Sequence, residues 1–452
     1  MARNPNKSCV RPSLPWQHIG TLGHTGHGKT TLTAALQKIR RPAEEAPVLS
    51  YEELKAGANP YQELKETSNS RVEDGEPPAV WLHCKTGNYS CFHTDCPADA
   101  AHLPRLISTL PQLDGAILVV SAVEGPMPQT RDHLLLARHF RVPALVVFLN
   151  MIDLVDTARV DQVEQQVREL VNTYYPGNDF PILRGSALAM LNADFYAQSE
   201  STGVDQLREL NTELDEIEHR EVSTVRPFLL PVEDWFYDPG RGNYAIGRPL
   251  LGTIRYGESV ELIGLTLSTP TLVLTDVRVL GELRGDSVHA GHHAKLLVRG
   301  MVGKKDVKRG QVLAKPSLLQ AYDGFKASVY FLTPEEGAPD RMFRDDSLYT
   351  PRSEPLEVPE GLTEEEIAEY LWEPTTDRPL QFHLHTAQVT GVTRYVEDSE
   401  NRTVVAMPGD TVTVTVELAE PVALWLHPEL RFVITEEGRT VGIGTVTKLG
   451  LR

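Results

Sequence analysis

Gly23-His24-Thr25-Gly26-His27-Gly28-Lys29-Thr30 follows the spacing Gly-x-x-x-x-Gly-Lys-[Ser/Thr]. It stands between the apolar run His18-Ile19-Gly20-Thr21-Leu22 and the helix-forming run Thr31-Leu32-Thr33-Ala34-Ala35-Leu36. A strand, a glycine-rich loop and a helix in that order predict a phosphate-binding site, because the glycines let successive backbone N–H groups curl around an anion at the positive end of a helix. Lys29 is then placed to neutralise the outer phosphates, and the Thr30 hydroxyl to hold a magnesium ion. The competing interpretation, a glycine-rich turn that binds nothing, leaves the flanking strand and helix unexplained. The loop alone does not name the base.

Outward from the loop, Arg41 to Pro78 is rich in Pro, Glu, Ser and Asn with no sustained helical or strand period, which predicts a long surface excursion over the site. Alternation resumes at Ala79 to Leu82 and Tyr89 to Thr94, and then come the apolar strands Gly115 to Val120 and Pro143 to Leu149. Helical stretches at Gln129 to Phe140 and Val160 to Tyr174 separate or succeed them. Near-continuous Val/Ile/Leu strands alternating with helices predict an α/β domain with a doubly wound, mostly parallel sheet covered on both faces.

Two further segments end such strands, where ligands of these sheets collect. Asp95 opens Asp95-Cys96-Pro97-Ala98, and an aspartate there reaches the magnesium shell through water in phosphate-loop enzymes. Asn150-Met151-Ile152-Asp153 is succeeded downstream by Gly185-Ser186-Ala187-Leu188. A carboxylate at Asp153 can accept hydrogen bonds from both N1–H and the exocyclic amine of guanine, whereas adenine presents an acceptor at N1. An aspartate after a strand is by itself often only a helix cap; four such elements in order favour a guanine nucleotide.

The chain has 452 residues, too many for one core, with 23% charged and 41% hydrophobic residues as in ordinary globular proteins. A formal net charge of -18 argues against a protein that grips nucleic acid by blanket phosphate neutralisation. No apolar run is long enough to span a bilayer, and Met1 to Lys7 lacks the apolar core of a signal peptide, so a cytoplasmic protein without membrane partners is expected. Cys9, Cys84, Cys91 and Cys96 are too few for a disulfide scaffold and fit a reducing compartment. Cys84, Cys91 and Cys96 lie near His83 and His93 but contain no Cys-x-x-Cys pair, which favours strand thiols over a zinc site.

From about Arg226 short period-2 runs divided by Gly, Asp and Pro replace the helices, most clearly Thr411 to Leu418 after Met407-Pro408-Gly409-Asp410. The expected organisation is a nucleotide-binding domain over 1–224, a small antiparallel β-barrel over 225–316 and a second over 317–452. An acidic, Pro-rich insertion at about 337–379 interrupts the second barrel. Within it Thr363-Glu364-Glu365-Glu366 caps a short amphipathic helix carrying Ile367, Tyr370 and Leu371. It is read as a packed surface decoration, with a partner-binding helix as the alternative.

In these residues the chain resembles the bacterial elongation factor Tu family. The resemblance runs through His18 to Ala35, Asp114 to Asp156, Arg184 to Leu188, Arg226 to Asp234, Arg309 to Pro316 and Leu430 to Gly450. The ending at Arg452, directly after the third unit, resembles that family as well. The resemblance implies GTP and GDP with Mg2+ as ligands, a monomer, and aminoacyl-tRNA, the ribosome and a nucleotide exchange factor as partners. It assigns Gly23, His24, Thr25, Gly26, His27, Gly28, Lys29, Thr30, Thr31, Asp95, Ala98, Asn150, Met151, Asp153, Ser186, Ala187 and Leu188 to the nucleotide, with Thr30 and, through water, Asp95 on the metal. It assigns Glu233, Asp234, Phe236, Ile246 and His293 to an aminoacyl-tRNA pocket.

The departures fall where that family does its chemistry. Asp-Cys-Pro-Gly-His becomes Asp95-Cys96-Pro97-Ala98-Asp99, so a Cβ restricts the backbone swing onto the γ-phosphate. Asp99 takes the catalytic place of the histidine that orients water, where a carboxylate repels the anionic phosphate. The family's Arg-Gly-Ile-Thr-Ile has no counterpart between Arg41 and Ala79, and an ungapped count puts Glu76 at its threonine. Met151 replaces a lysine, Gly26 an aspartate, Ile246 a threonine, His293 an asparagine and Pro104 a lysine beside Arg105. Two functions remain open: a translational GTPase with slowed hydrolysis and switching, or a non-hydrolysing relative that binds the ribosome or elongation-factor partners.

Overall fold

The computed structural model describes residues 15–42, 50–55, 80–86, 88–96, 102–193, 202–220, 222–280, 286–300, 303, 306–339, 342–344, 347–351, 372–374, 380–397, 405–426 and 429–451. Seven strands form the first sheet: β1 (Trp16–Leu22), β2 (Arg41–Pro42), β3 (Val80–Lys85), β4 (Ser90–Asp95), β5 (Gly115–Ser121), β6 (Leu145–Asn150) and β7 (Ile182–Arg184). Their order is β2-β3-β4-β1-β5-β6-β7, with β4, β1, β5, β6 and β7 parallel and β2 and β3 antiparallel at one edge.

Among the described residues seven helices accompany it: α1 (Lys29–Ile39), α2 (Tyr51–Lys55), α3 (Leu103–Thr109), α4 (Pro128–His139), α5 (Thr157–Tyr174), α6 (Ala187–Asn192) and α7 (Thr202–Asp215). Alternate residues of the central strands supply two separate cores. Ala116, Leu118 and Val120 pack beneath α3, α4 and α5, while Ile117 and Val119 pack beneath α1, α6 and α7. A strand buried on both faces must be apolar at every position, which is why these read as unbroken apolar runs. The helices contribute stripes at helical spacing, such as Val160, Val163, Val167 and Val171 of α5.

The second body contains β8 (Leu229–Pro231), β9 (Asp234–Asp238), β10 (Gly242–Gly247), β11 (Thr253–Arg255), β12 (Ser259–Ile263), β13 (Thr271–Val279), β14 (Ser287–His289), β15 (Ala294–Arg299) and β16 (Val312–Ala314). Seven strands run in the order β8-β16-β12-β13-β15-β10-β9, and β11 pairs with β14 in a separate ribbon. Between β10 and β11 the backbone passes close to β8: at Gly247 a Cβ would sit 2.2 Å from Pro231 O, and at Gly252 (φ +75°) 2.4 Å from Arg226 O. The chain thus crosses tightly over β8 between β10 and β11.

The third body closes. β17 (Gln320–Phe331), β23 (Thr411–Leu424), β22 (Ala387–Glu397), β21 (Leu380–Leu384), β24 (Arg431–Glu436) and β25 (Arg439–Leu449) form a six-stranded antiparallel barrel around Phe325, Phe382 and Phe432. The insertion contributes a three-stranded sheet, β18 (Met342–Arg344), β19 (Ser347–Pro351) and β20 (Trp372–Pro374). Its expected helix at Thr363 to Leu371 lies outside the described residues. The excursion after α1 contains the five-residue α2, too short to show a period in sequence.

The bodies share cores. Trp16 and Phe92 of the first pack with Phe236 and Ile246 of the second, and Leu332 and Val433 of the third pack with the α4 and α5 layer. Arg309 joins all three, donating to Pro104 O and Ser108 Oγ on one side and Thr386 O on the other. Cys96 is a free, buried thiol that burial pushes up to about 12. Cys91 is disulfide-bonded, which corrects the expectation of strand thiols at that position. Among the described residues no helix is long and apolar enough to cross a membrane.

Candidate nucleotide-binding site

The loop Gly23 to Gly28 joins the end of β1 to the start of α1 and needs its glycines individually. Gly23 and Gly28 have φ of +130° and +90°, and added Cβ atoms would lie 2.2 Å from Val119 O and 2.3 Å from Asn150 Nδ2. Gly26 is also left-handed, at φ +85°, but faces open space. The helix opens at Gly28 with no side-chain cap, so the first-turn N–H groups of α1, those of Lys29, Thr30 and Thr31, sit at the positive end of its dipole. That is the arrangement an anion binds.

The loop is braced from below. Lys29 Nζ donates to Gly23 O at 3.1 Å and His24 O at 2.9 Å, folding the cation back across the loop. Gly23 N donates to His133 Nδ1 at 2.9 Å and Thr25 N to Gln129 Oε1 at 3.2 Å, both on α4. Burial holds His133 down at about 3, so its ring stays neutral and keeps the acceptor. His27 is buried, with Nε2 approaching Glu124 Oε2 at 3.0 Å without hydrogen-bond alignment; burial first, and His24 next, lower its pKa.

Asp95, at the end of β4, is gripped on both oxygens. Thr30 Oγ1 donates to Oδ2 at 2.7 Å and Thr21 Oγ1 to Oδ1 at 2.8 Å. A carboxylate and a hydroxyl whose proton is already committed leave oxygen lone pairs, the donor set a small hard cation such as Mg2+ takes. Thr30 and Asp95 therefore fit the metal.

At the opposite end of the loop, Asn150 closes the end of β6 against two other segments. Its Nδ2 donates to His27 O at 2.8 Å and its Oδ1 accepts from Ala187 N at 2.8 Å. The Gly23–Gly28 loop, the end of β6 and the Ser186-Ala187-Leu188 turn are thus linked through one side chain. Ser186 caps α6 by accepting from Ala189 N, Ala187 is buried, and Leu188 is exposed beside it. Asp153 lies exposed on the short 3-10 turn Ile152–Leu154. Met151 adopts φ +63°, and Ser121 Oγ donates to its Sδ at 3.3 Å, so the thioether lies beside the phosphate loop. Ala98 and Asp99 lie outside the described residues.

Of the five positions assigned to an aminoacyl-tRNA pocket, Glu233 and His293 share a cavity, while Ile246 meets both Glu233, whose N–H donates to Ile246 O at 2.9 Å, and Asp234. Glu233 and His293 line a cavity of about 20 Å³ between the first and second bodies, with His18, Gln112 and Arg248. Gln112 Nε2 donates to Glu233 Oε1 at 2.5 Å, and His293 Nε2 lies 3.4 Å from Glu233 Oε2. Phe236 stacks on Tyr244 at 4.7 Å under the Lys295 ammonium, Ile246 is in the core of the second body, and Asp234 pairs across the ladder with Ile246.

Sequence reasoning missed Thr21, Gln129 and His133. Thr21 stood in the quoted strand, but a buried threonine announces no partner; the other two meet the loop only through the fold.

Residues 15–218 match the family described as elongation factor Tu GTP binding domain, and residues 375–450 match the elongation factor Tu C-terminal domain. The two matches together cover more than half of the chain, one on the body that carries the loop and the other on the closed barrel. With the strand order, the braced phosphate loop and the asparagine clamp already in place, the chain belongs to the elongation-factor-Tu-like translational GTPases.

Proposed function

We propose that the chain binds GDP and GTP with Mg2+ in the cytoplasm and hydrolyses GTP more slowly than an intact member of its family. The observation that carries this is the clamp of Asn150 on His27 O and Ala187 N, which sets the base loop against a phosphate loop with uncapped helix amides. The first-turn amides and Lys29 receive the phosphates, Thr30 and Asp95 hold the metal, and Asp153 accepts from the guanine edge. Bound magnesium supplies charge neutralisation at the phosphate oxygens. At the family positions that Ala98 and Asp99 take in the sequence, a Cβ in place of glycine and a carboxylate in place of histidine weaken the hydrolytic step, because the first restricts the backbone and the second repels an anionic γ-phosphate.

Titration with a fluorescent guanine nucleotide, with and without Mg2+, is expected to give saturable binding that GDP and GTP, but not ATP, compete away. No binding at millimolar nucleotide removes the proposal. Ala98→Gly with Asp99→His is expected to raise single-turnover hydrolysis at least about tenfold, since oxyanion-type contacts are worth about 10²–10³ in rate; unchanged hydrolysis removes the explanation for slow turnover.

A second function, binding without delivery of aminoacyl-tRNA, is favoured by the Glu233 site, where Gln112 and His293 already face the two carboxylate oxygens. Protection of an aminoacyl-tRNA ester against spontaneous hydrolysis separates the two: a delivery factor slows deacylation, and a non-delivering relative leaves its rate unchanged.

A further inference from the structure

We propose that Thr21 is a positioning residue of the magnesium site, holding the Asp95 carboxylate in the one orientation that can serve the metal; this rests on the proposal that the chain binds a guanine nucleotide with Mg2+. The β1–β4 ladder places Thr21 and Asp95 as Cα partners, so the fold itself brings the hydroxyl to the carboxylate. Thr21 is fully buried, and its Oγ1 donates to Asp95 Oδ1 at 2.8 Å while Thr30 Oγ1 holds Oδ2 at 2.7 Å.

The torsion that turns a carboxylate about its Cβ–Cγ bond is broad and soft. One donor leaves that rotation open. A second donor on the other oxygen, from a different strand, closes it and directs the remaining lone pairs toward the Thr30 side. Thr33 does not replace it, since its hydroxyl reaches Oδ1 only at 3.5 Å. A buried threonine merely satisfying itself had the Thr94 carbonyl within reach at 3.4 Å, yet its shorter bond goes to Asp95. Thr21 Oγ1 also accepts from Cys96 N at 3.4 Å, so the same hydroxyl fixes the first residue after β4.

The test uses Thr21→Val, which keeps the shape and removes the hydroxyl, and Thr21→Ser, which restores it. Fluorescent GDP affinity is measured for each in Mg2+ and in EDTA. Thr21→Val is expected to lose about tenfold in Mg2+, the worth of one hydrogen bond to a charged group, and to match wild type in EDTA within about twofold. Thr21→Ser is expected to return the Mg2+ dependence. Equal losses in both media, or an unaltered Mg2+ dependence in Thr21→Val, overturn the assignment.

If wild type itself binds no guanine nucleotide, the nucleotide proposal fails. The Thr21–Asp95 link is then judged by urea unfolding without ligand. Thr21→Val and Asp95→Ala are expected to be non-additive, the double variant being no less stable than the weaker single; additive losses overturn it.

Discussion

Two glycines of the phosphate loop separate conformational need from spatial need. Gly28 has both: φ of +90° and a Cβ position 2.3 Å from the amide nitrogen that Asn150 uses to hold His27 O. Gly26 has only the first, with φ of +85° and nothing within 4 Å. Gly28→Ala is therefore expected to cost about 2–3 kcal/mol and at least about a hundredfold in nucleotide affinity, because the clamp must move. Gly26→Asn, a residue that tolerates the left-handed region, is expected to cost under about 1 kcal/mol and to leave binding nearly intact. Urea midpoints and guanine-nucleotide titrations of the two variants, side by side, check both. Equal losses contradict the distinction between strain and collision.

Among the elements, α1 carries the loop, and its far end is fixed by charge. Arg40, only 2% exposed, donates to Asn211 Oδ1 at 2.9 Å and pairs with Asp215 at 3.4 Å, tying α1 to the end of α7. Burial lowers Arg40 to about 10 against the pull of Asp215, and burial also raises the Asp215 carboxyl despite Arg40. Both partners lose hydration, so the pair is costly to break and worth little against an apolar replacement. Arg40→Ala is expected to destabilise by about 3 kcal/mol, and Arg40→Met with Asp215→Leu by less than that single change, as chemical denaturation will register. The legibility of the fold in the sequence divides along the same line between obligatory and replaceable groups. Strands β5 and β6 announce themselves because burial on two faces forbids polar residues, and the phosphate loop because its glycines are stereochemically obligatory. The supports contributed by His133 and Gln129 were invisible, since their partners stand more than 100 residues away and any acceptor at that place would serve. The division of the second body's strands between a seven-stranded sheet and the β11–β14 ribbon was not legible, because period-2 alternation is the same in both.

For the molecule as a whole, the joints between bodies are built from histidines that burial keeps neutral. His18 donates to Gly291 O at 2.8 Å across the first joint, and His139 Nε2 to Phe432 O at 3.1 Å across another. His139, His292 and His385 are lowered to about 4, and His93, His133 and His383 to about 3, burial being the first cause throughout. His18 is likewise lowered well below its ordinary value, burial first. A histidine whose folded pKa lies below the unfolded value of about 6.5 binds its proton first in the unfolded chain, so stability falls as pH drops from about 6.5 toward 3–4 and is unaffected above about 7.5. Asp132 opposes this. Burial raises it to about 6, so the folded state gains as pH falls from about 6 to 4. Two raised carboxyls, Asp132 and Asp215, against eight lowered imidazoles, His27 included, leave a net loss of stability as pH falls below about 6.5. The urea midpoint is accordingly expected to be flat from about pH 7.5 to 9 and to collapse between about pH 6 and 5. His139 and His18 face partner bodies, so small-angle scattering at about pH 5.5 in dilute urea should show the radius of gyration rising before the helical signal of the first body is lost. His383→Gln, which keeps a polar partner for Thr435 Oγ1 at the place of the 2.8 Å contact, should shallow the acid limb and leave the midpoint near pH 8 within about 1 kcal/mol. An acid limb of wild-type steepness in that variant would move the origin of the pH dependence from the buried imidazoles to the carboxylates.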